Sequence, residues 1–372
     1  MPFDKKTISR RKTLKLLGTA GLASALPKAV GAEQVQVLPD ITKGINIPLW
    51  MDQPDGSAYP PSQHVLALLS RFGFKTVRLP VDPDRFAAGG VETLKASLEL
   101  EQIIKTLSEF GFSVTLDMHP QGQIAKALSE GEAGHDPLDT AWTNLAKIGA
   151  HFAPQTTFLE LLNEPDMWRD RWLPLRDRLA QTTRKICPEH TLIWGANKWQ
   201  SIAETIFCPP LDDKNAIAAV HYYSPMPFTH QCQSWGTPDP DAPQNLPFPA
   251  TLSSPEVISA LENMSAEAAA DIRRLYATGW GVDQIQQDFE SLANWSRLTG
   301  TKTILNEFGT LKFCADQNSR IRWTRAVRQA CLSNDIGWTY WEFDRGFGFM
   351  ADRTSLSNVE LRLVAALIGE RT

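Results

Sequence analysis

The sequence predicts an α/β fold of the (β/α)8 TIM-barrel class, as a single domain with an enlarged loop between strands six and seven. Three observations carry that expectation. Eight short apolar runs recur along the chain, amphipathic helix patterns lie between most of them, and several runs end in an ionisable or aromatic residue. Strands covered on both faces read as near-continuous apolar runs, and eight such strands alternating with helices suit a closed barrel. Periodicity alone also allows an open parallel sheet. No Gly-x-Gly-x-x-Gly follows the first strand, however, which removes the usual dinucleotide-binding reading of that alternative.

The expected strands are, in order, Gly44–Trp50, Lys75–Val81, Phe112–Met118, Thr157–Leu162, Thr191–Ala196, Ala216–Tyr223, Thr301–Asn306 and Ile336–Glu342. Helical spacing is expected over Gln63–Phe72 and Leu94–Phe110, which meet Gly73 and Gly111 where a helix C-terminus favours glycine. Trp142–Phe152, Trp168–Ile186 and Ser319–Ser333 repeat the amphipathic pattern. The connection from Ser224 to Gly300 is enlarged. Its first part holds seven prolines between Pro225 and Pro249, with Phe228-Thr229-His230-Gln231 and Trp235 among them. Its second part, Pro255–Leu298, reads as two helices broken near Gly279–Gly281. A proline-stiffened loop of this length is expected to shape one end of a cleft.

Residues 1–32 read as an export signal rather than as part of the fold. Ser9-Arg10-Arg11-Lys12-Thr13-Leu14-Lys15 is a twin-arginine run, Leu16–Leu26 is mildly apolar, and Val30-Gly31-Ala32 supplies small residues for cleavage. The apolar stretch is too short to span a bilayer. The segment carries seven Lys/Arg and one Asp, so its removal shifts the net charge from −5 to −11. An acidic mature protein argues against nucleic acid or an anionic membrane as partner. A periplasmic or secreted monomer spanning 33–372 is the expectation, with no appended module, since no linker or internal repeat divides it. The cysteines Cys187, Cys208, Cys232, Cys314 and Cys331 lack Cys-x-x-Cys spacing. A zinc or redox motif is not expected; an oxidising compartment would permit one or two disulfides with at least one thiol left over, and buried, inert cysteine is the expected state of most of them.

The strand ends carry the functional signal, because a barrel of this kind builds its site there. Arg78 lies on strand two, Asp117-Met118-His119 closes strand three and Asn163-Glu164-Pro165 follows strand four. His221-Tyr222-Tyr223 closes strand six, Glu307 lies in Leu305-Asn306-Glu307-Phe308-Gly309, and Trp341 ends strand eight. Each has an ordinary structural role available: Arg78 in an ion pair, His119 as a cap, Asn163-Glu164-Pro165 as a turn, Trp341 in the core. Their joint placement at one rim favours a site. Two glutamates facing each other across a sugar can perform glycoside hydrolysis, one as acid and one as nucleophile.

The ordered set resembles glycoside hydrolase family 5, the cellulase-like retaining barrel enzymes, from Gly44-Ile45-Asn46 to Trp341. That resemblance implies Glu164 as acid/base and Glu307 as nucleophile, with Arg78, His119, Asn163, His221, Tyr223 and Trp341 in support. Independently of it, an acid at Glu164 needs a desolvated setting, and a nucleophile at Glu307 needs donors, for which Arg78 and the Tyr223 hydroxyl are the candidates. Asn163 is placed to bond a sugar 2-hydroxyl and Trp341 to stack on a pyranose. A retaining enzyme requires carboxyls roughly 5–5.5 Å apart.

An oligo- or polysaccharide substrate follows, with no cofactor and no metal. A metal-dependent barrel would want His-x-His on the first strand, which Gly44–Trp50 lacks. A non-catalytic glycan-binding protein would have lost a carboxylate, and both are intact. Twelve tryptophans are present, and Trp50, Trp168, Trp199 and Trp235 fall in expected loops, where they could hold a glycan. Phe228-Thr229-His230-Gln231 is similar to segments of glucanase-like family members, which leans the substrate towards β-glucan and leaves β-mannan open.

Overall fold

The computed structural model describes residues 41–131, 135–233, 235 and 242–369. The expected export signal, 1–32, lies outside the described residues. The strands are β1 (Gly44–Asn46), β2 (Thr76–Val81), β3 (Ser113–Met118), β4 (Thr157–Glu160), β5 (Leu192–Gly195), β6 (Ala216–Tyr222), β7 (Lys302–Phe308) and β8 (Gly337–Tyr340). They pair in parallel in sequence order, and β8 closes on β1. No helix among the described residues is long and apolar enough to cross a membrane.

The barrel interior is divided by height. Phe158, Ile193, Ile217, Ala219 and Ile304 form an apolar cluster of their own at one end. Moving up alternate positions, the same strands present Glu160 and His221, joined by Arg78 and Asp117 from β2 and β3, all buried. Side chains alternate across a strand, so this parity is what brings the charged groups into one layer. The large apolar core lies outside the barrel, between strands and helices.

The Gln63–Phe72 helix shows why the surrounding elements form where they do. The Ser62 side chain accepts from the Val65 N–H, Val65, Leu66 and Leu69 are buried, and Gly73 ends the helix at φ 104°. Each fully buried side chain of that type contributes about 1.5–3 kcal/mol at most. Elsewhere the boundaries differ from expectation. Pro255–Leu298 holds three helices, Pro255–Glu262, Ala266–Leu275 and Val282–Thr299, rather than two. The additional break comes from Ser265, whose hydroxyl accepts from the Ala268 N–H and starts a new helix. Trp50 is no loop platform: Met51 bridges to Val81 and draws the chain back against β2, leaving Trp50 only 7% exposed.

Cys232 and Cys314 form a disulfide between the loops after β6 and β7, and Cys187, Cys208 and Cys331 are buried thiols. Closing a sequence separation of 82 residues restricts the unfolded chain by about 4–5 kcal/mol in the entropic picture.

Candidate active site

A cleft of about 1160 Å³ opens at the C-terminal ends of the strands, lined by His119, Asn163, Glu164, His221, Tyr223, Glu307 and Trp341 among others. Arg78, the eighth residue singled out from sequence, lies directly beneath and is fully buried. A second cavity, about 930 Å³ around Asp84, Arg85 and Gln123, contains none of these groups.

Arg78 organises the floor. Its guanidinium donates to Glu307 Oε1 at 2.6 Å, to both oxygens of Glu160 at 2.7 and 3.0 Å, to Asn163 Oδ1 at 2.8 Å and to Asn46 Oδ1 at 3.0 Å. Asp117 Oδ2 is also 3.0 Å away. Burial opposes the charge on Arg78, but Asp117, Glu160 and Glu307 overcome it and hold the proton firmly. Glu160, fully buried itself, is pushed upward by desolvation despite Arg78. Sequence reading missed Glu160, since a lone glutamate inside Thr157–Leu162 reads as part of an apolar run. Its place in one layer with Arg78 and Asp117 follows from the strand register, which the sequence does not show.

Glu307 owes its position to a bulge. Val220 pairs with Leu305, but His221 pairs with Glu307, so Asn306 is the extra residue on β7. Bulges re-aim side chains in this way. Asn306 donates to Glu160 Oε1 at 2.7 Å, while the next residue, Glu307, still faces the cleft. The Tyr223 hydroxyl donates to Glu307 Oε2 at 3.0 Å. Burial first, and then the Glu307 and Glu164 carboxylates, push the Tyr223 hydroxyl far upward, so it remains a donor.

Glu164 is held differently. Its φ is +42°, and its N–H donates to Gln200 Oε1 at 2.7 Å. His221 Nδ1 lies 2.7 Å from Glu164 Oε1 and 3.5 Å from Glu307 Oε2. Burial drives the His221 imidazole down to about 4, against the pull of Glu307. The ring is therefore neutral. Its Nε2 is buried without a partner among the described residues, and a bare lone pair there costs less than an orphaned N–H, which places the proton on Nδ1, between the two carboxyls. Desolvation pushes Glu164 up to about 7, only partly opposed by His119 and Arg78. One ligand atom each of Glu164, His221 and Glu307 lie within 4.8 Å of one another, a bound compatible with the short carboxyl spacing of retaining chemistry and below the roughly 6.5–9.5 Å of inverting chemistry.

His119 shares Asp117 Oδ2 through Nδ1 at 2.7 Å and stacks on Trp341, with ring centroids 5.9 Å apart. Burial pushes His119 down, but Asp117 outweighs it and raises the imidazole to about 9. The Asn163 amide nitrogen stands 3.3 Å from His119 Nε2, and it can donate there only when that nitrogen is bare. The longer distance marks this as the weaker of the two contacts.

The rim is aromatic. Trp168, Trp199 and Trp235 are 70%, 55% and 48% exposed and line the cleft. Lys198 Nζ lies over Trp168 and Trp199 at 5.0 and 5.5 Å and pairs with Asp166 at 3.1 Å. On the opposite wall His230 meets Tyr223 at 5.0 Å between ring centroids, and Trp235 meets Phe347 at 6.1 Å. Met226, His230, Gln233 and Trp235 of the enlarged connection thus line the cleft. Lys198, Trp199 and Gln200 have φ of +55°, +59° and +53°, a left-handed run that costs roughly 1–2 kcal/mol per residue.

The profile of the cellulase family, glycosyl hydrolase family 5, matches residues 38–346. Endoglucanase 3 of Fibrobacter succinogenes is 25% identical over 354 residues, 89% of this chain, which spans only 53% of that relative's length. Cellodextrinase A of Ruminococcus flavefaciens is 24% identical over 80% of this chain and 90% of its own. Among solved structures, an endoglucanase superposes with TM-score 0.72 at 22% identity, covering 89% of this chain and 97% of its own. Thermotoga maritima Cel5A, solved with mannotriose, superposes with TM-score 0.70 at 22% identity over 88% and 97%. At these identities the structural likeness speaks for the fold.

Proposed function

The chain belongs to glycosyl hydrolase family 5, and from that premise we propose that this glycoside hydrolase is a retaining endo-β-1,4-glucanase with Glu307 as nucleophile and Glu164 as acid/base. The observation that carries this reading is the pair of carboxyls within 4.8 Å in opposite electrostatic settings. Glu307 receives Arg78 and Tyr223, two donors that favour a carboxylate able to attack the anomeric carbon. Glu164, raised to about 7, carries a proton for the leaving oxygen. His221 donates to Glu164 Oε1, leaving Oε2 for that proton. Formation of the glycosyl–Glu307 bond removes a negative charge beside Glu164. Ionisation of Glu164 then costs less, and the same group takes a proton from the incoming water.

Asn163, with its oxygen held by Arg78, offers its amide nitrogen to the sugar 2-hydroxyl, and Trp341 offers a face for the ring. The exposed tryptophans suit an extended chain, which supports endo action. The printed names of the relatives, an endoglucanase and a cellodextrinase, support β-1,4-glucan. A β-mannan reading is favoured by one observation, the neighbouring fold solved with mannotriose. Export by the twin-arginine segment 1–32, to act as a periplasmic or secreted monomer, belongs to the same proposal. Product analysis on β-1,4-glucan, mixed-linkage β-glucan, β-1,3-glucan and β-mannan tests it, with Glu307→Gln as blank. Oligosaccharides released from β-1,4-glucan and absent in the blank are expected. Cleavage of mannan alone would overturn the substrate, and silence across the panel would overturn the activity.

A further inference from the structure

We infer that Gln200 is a positioning residue that holds Glu164 in its left-handed conformation against His221. This rests on the acid/base reading of Glu164 above. One residue brackets both groups. Gln200 is fully buried, and its Oε1 accepts from the Glu164 N–H at 2.7 Å. Its backbone carbonyl accepts from the His221 N–H at 2.9 Å, next to the Ser201–His221 bridge. The same residue therefore fixes both backbones whose side chains meet at 2.7 Å between His221 Nδ1 and Glu164 Oε1.

The local fold is shaped around this bracket. A Cβ on Gly195 would meet Gln200 Cγ at 2.1 Å and Cδ at 2.3 Å, so only glycine at the end of β5 leaves room for the buried amide. The Lys198 N–H donates to the Pro165 carbonyl at 2.9 Å, clasping the chain just after Glu164. Left-handed conformations at Glu164, Lys198, Trp199 and Gln200 persist only where surrounding contacts over-determine them. The Gln200 amide nitrogen is buried without a partner among the described residues. A side chain chosen only to fill space would be apolar; this one is retained with an unsatisfied donor because its oxygen has a backbone N–H to receive.

Two variants keep the test clear of misfolding. Gln200→Gly accepts the positive φ without strain and removes the acceptor, and Gln200→Met fills similar volume without it. Each is compared with wild type on phenyl and 2,4-dinitrophenyl β-cellobioside, or the mannobiosides if the glycan panel selects mannan. For the phenyl glycoside, which needs protonation, kcat/KM is expected to fall about 10–100-fold in both variants. The dinitrophenyl glycoside, whose leaving group needs no acid, should change by less than about threefold. The basic limb of the pH profile should move down from about 7 as Glu164 relaxes towards solvent. Equal losses on both substrates, or an unmoved limb, would overturn the inference and leave Gln200 a loop-packing residue. Glu164→Gln in the same assays separates the two levels. If it lacks leaving-group selectivity, the acid/base reading itself fails; if it shows selectivity and the Gln200 variants do not, only the bracket fails.

Discussion

Glu307 and Glu164 share one cleft, yet the regions that hold them are built on opposite principles. The Glu307 side chain is 6% exposed, sits inside a strand, and receives a guanidinium and a phenol. The Glu164 side chain is 31% exposed, sits on a left-handed residue after its strand, and receives one neutral imidazole. A fixed charge is served by ion pairing and rigid sheet. In the proposed roles, a group that gains and loses a proton is served by a neutral partner and by the absence of a guanidinium bonded to it. The difference lies in the surroundings, since the two side chains are chemically identical.

The largest effects that could break this comparison are on turnover. Glu307→Gln should lose at least about 10,000-fold in kcat with the fold intact. Glu164→Ala should lose comparably on unactivated glycans and recover most of the loss in kcat/KM on dinitrophenyl glycosides. Failure to recover would remove the asymmetry of roles. In the wild type, the acid form of Glu164 is depleted as pH rises through about 7, so kcat/KM should fall above that value. A profile flat to pH 9 would contradict the assignment.

Next comes the floor beneath Glu307. Arg78→Met leaves Asp117, Glu160 and Glu307 buried without their shared cation. Breaking such a network costs about 3–5 kcal/mol, readable as a lowered urea midpoint, and removes activity as well. A stability change below about 1 kcal/mol would mean that the guanidinium does not hold this floor together.

These regions also differ in how legible they are from sequence. The strands stand out as apolar runs, and Glu307 and Glu164 as carboxylates at or just beyond two strand ends. Glu160 does not, because its meaning depends on sharing a layer with Arg78 and Asp117, which only closure of the barrel brings about. The bulge at Asn306 is equally hidden: it is a mismatch of register between two strands, not a property of either. Gln200 sits in a loop whose left-handed path no propensity announces, since lysine, tryptophan and glutamine disfavour it. Trp50 is expected in a loop from sequence, whereas Met51 re-pairs with Val81 and the ring is buried.

Smaller effects sharpen the contrast. Tyr223→Phe removes one charge-assisted hydrogen bond to Glu307 and should lower kcat about 10–100-fold with little change in KM. A pure binding defect would place the hydroxyl on substrate instead. On the Glu164 side, Trp168→Ala removes an exposed platform and should raise KM about 2–10-fold with kcat unchanged. A matching fall in kcat would mean that this ring also positions the reacting sugar.

The most direct test of the central claim is to trap the intermediate. The enzyme is incubated with 2,4-dinitrophenyl 2-deoxy-2-fluoro-β-cellobioside, and its mass and peptide map are recorded. The account predicts one added fluoroglycosyl group, on the peptide containing Glu307, displaced slowly by a glycoside acceptor. An adduct on Glu164, or release of the fluorosugar as the inverted α-anomer with no adduct, would contradict it.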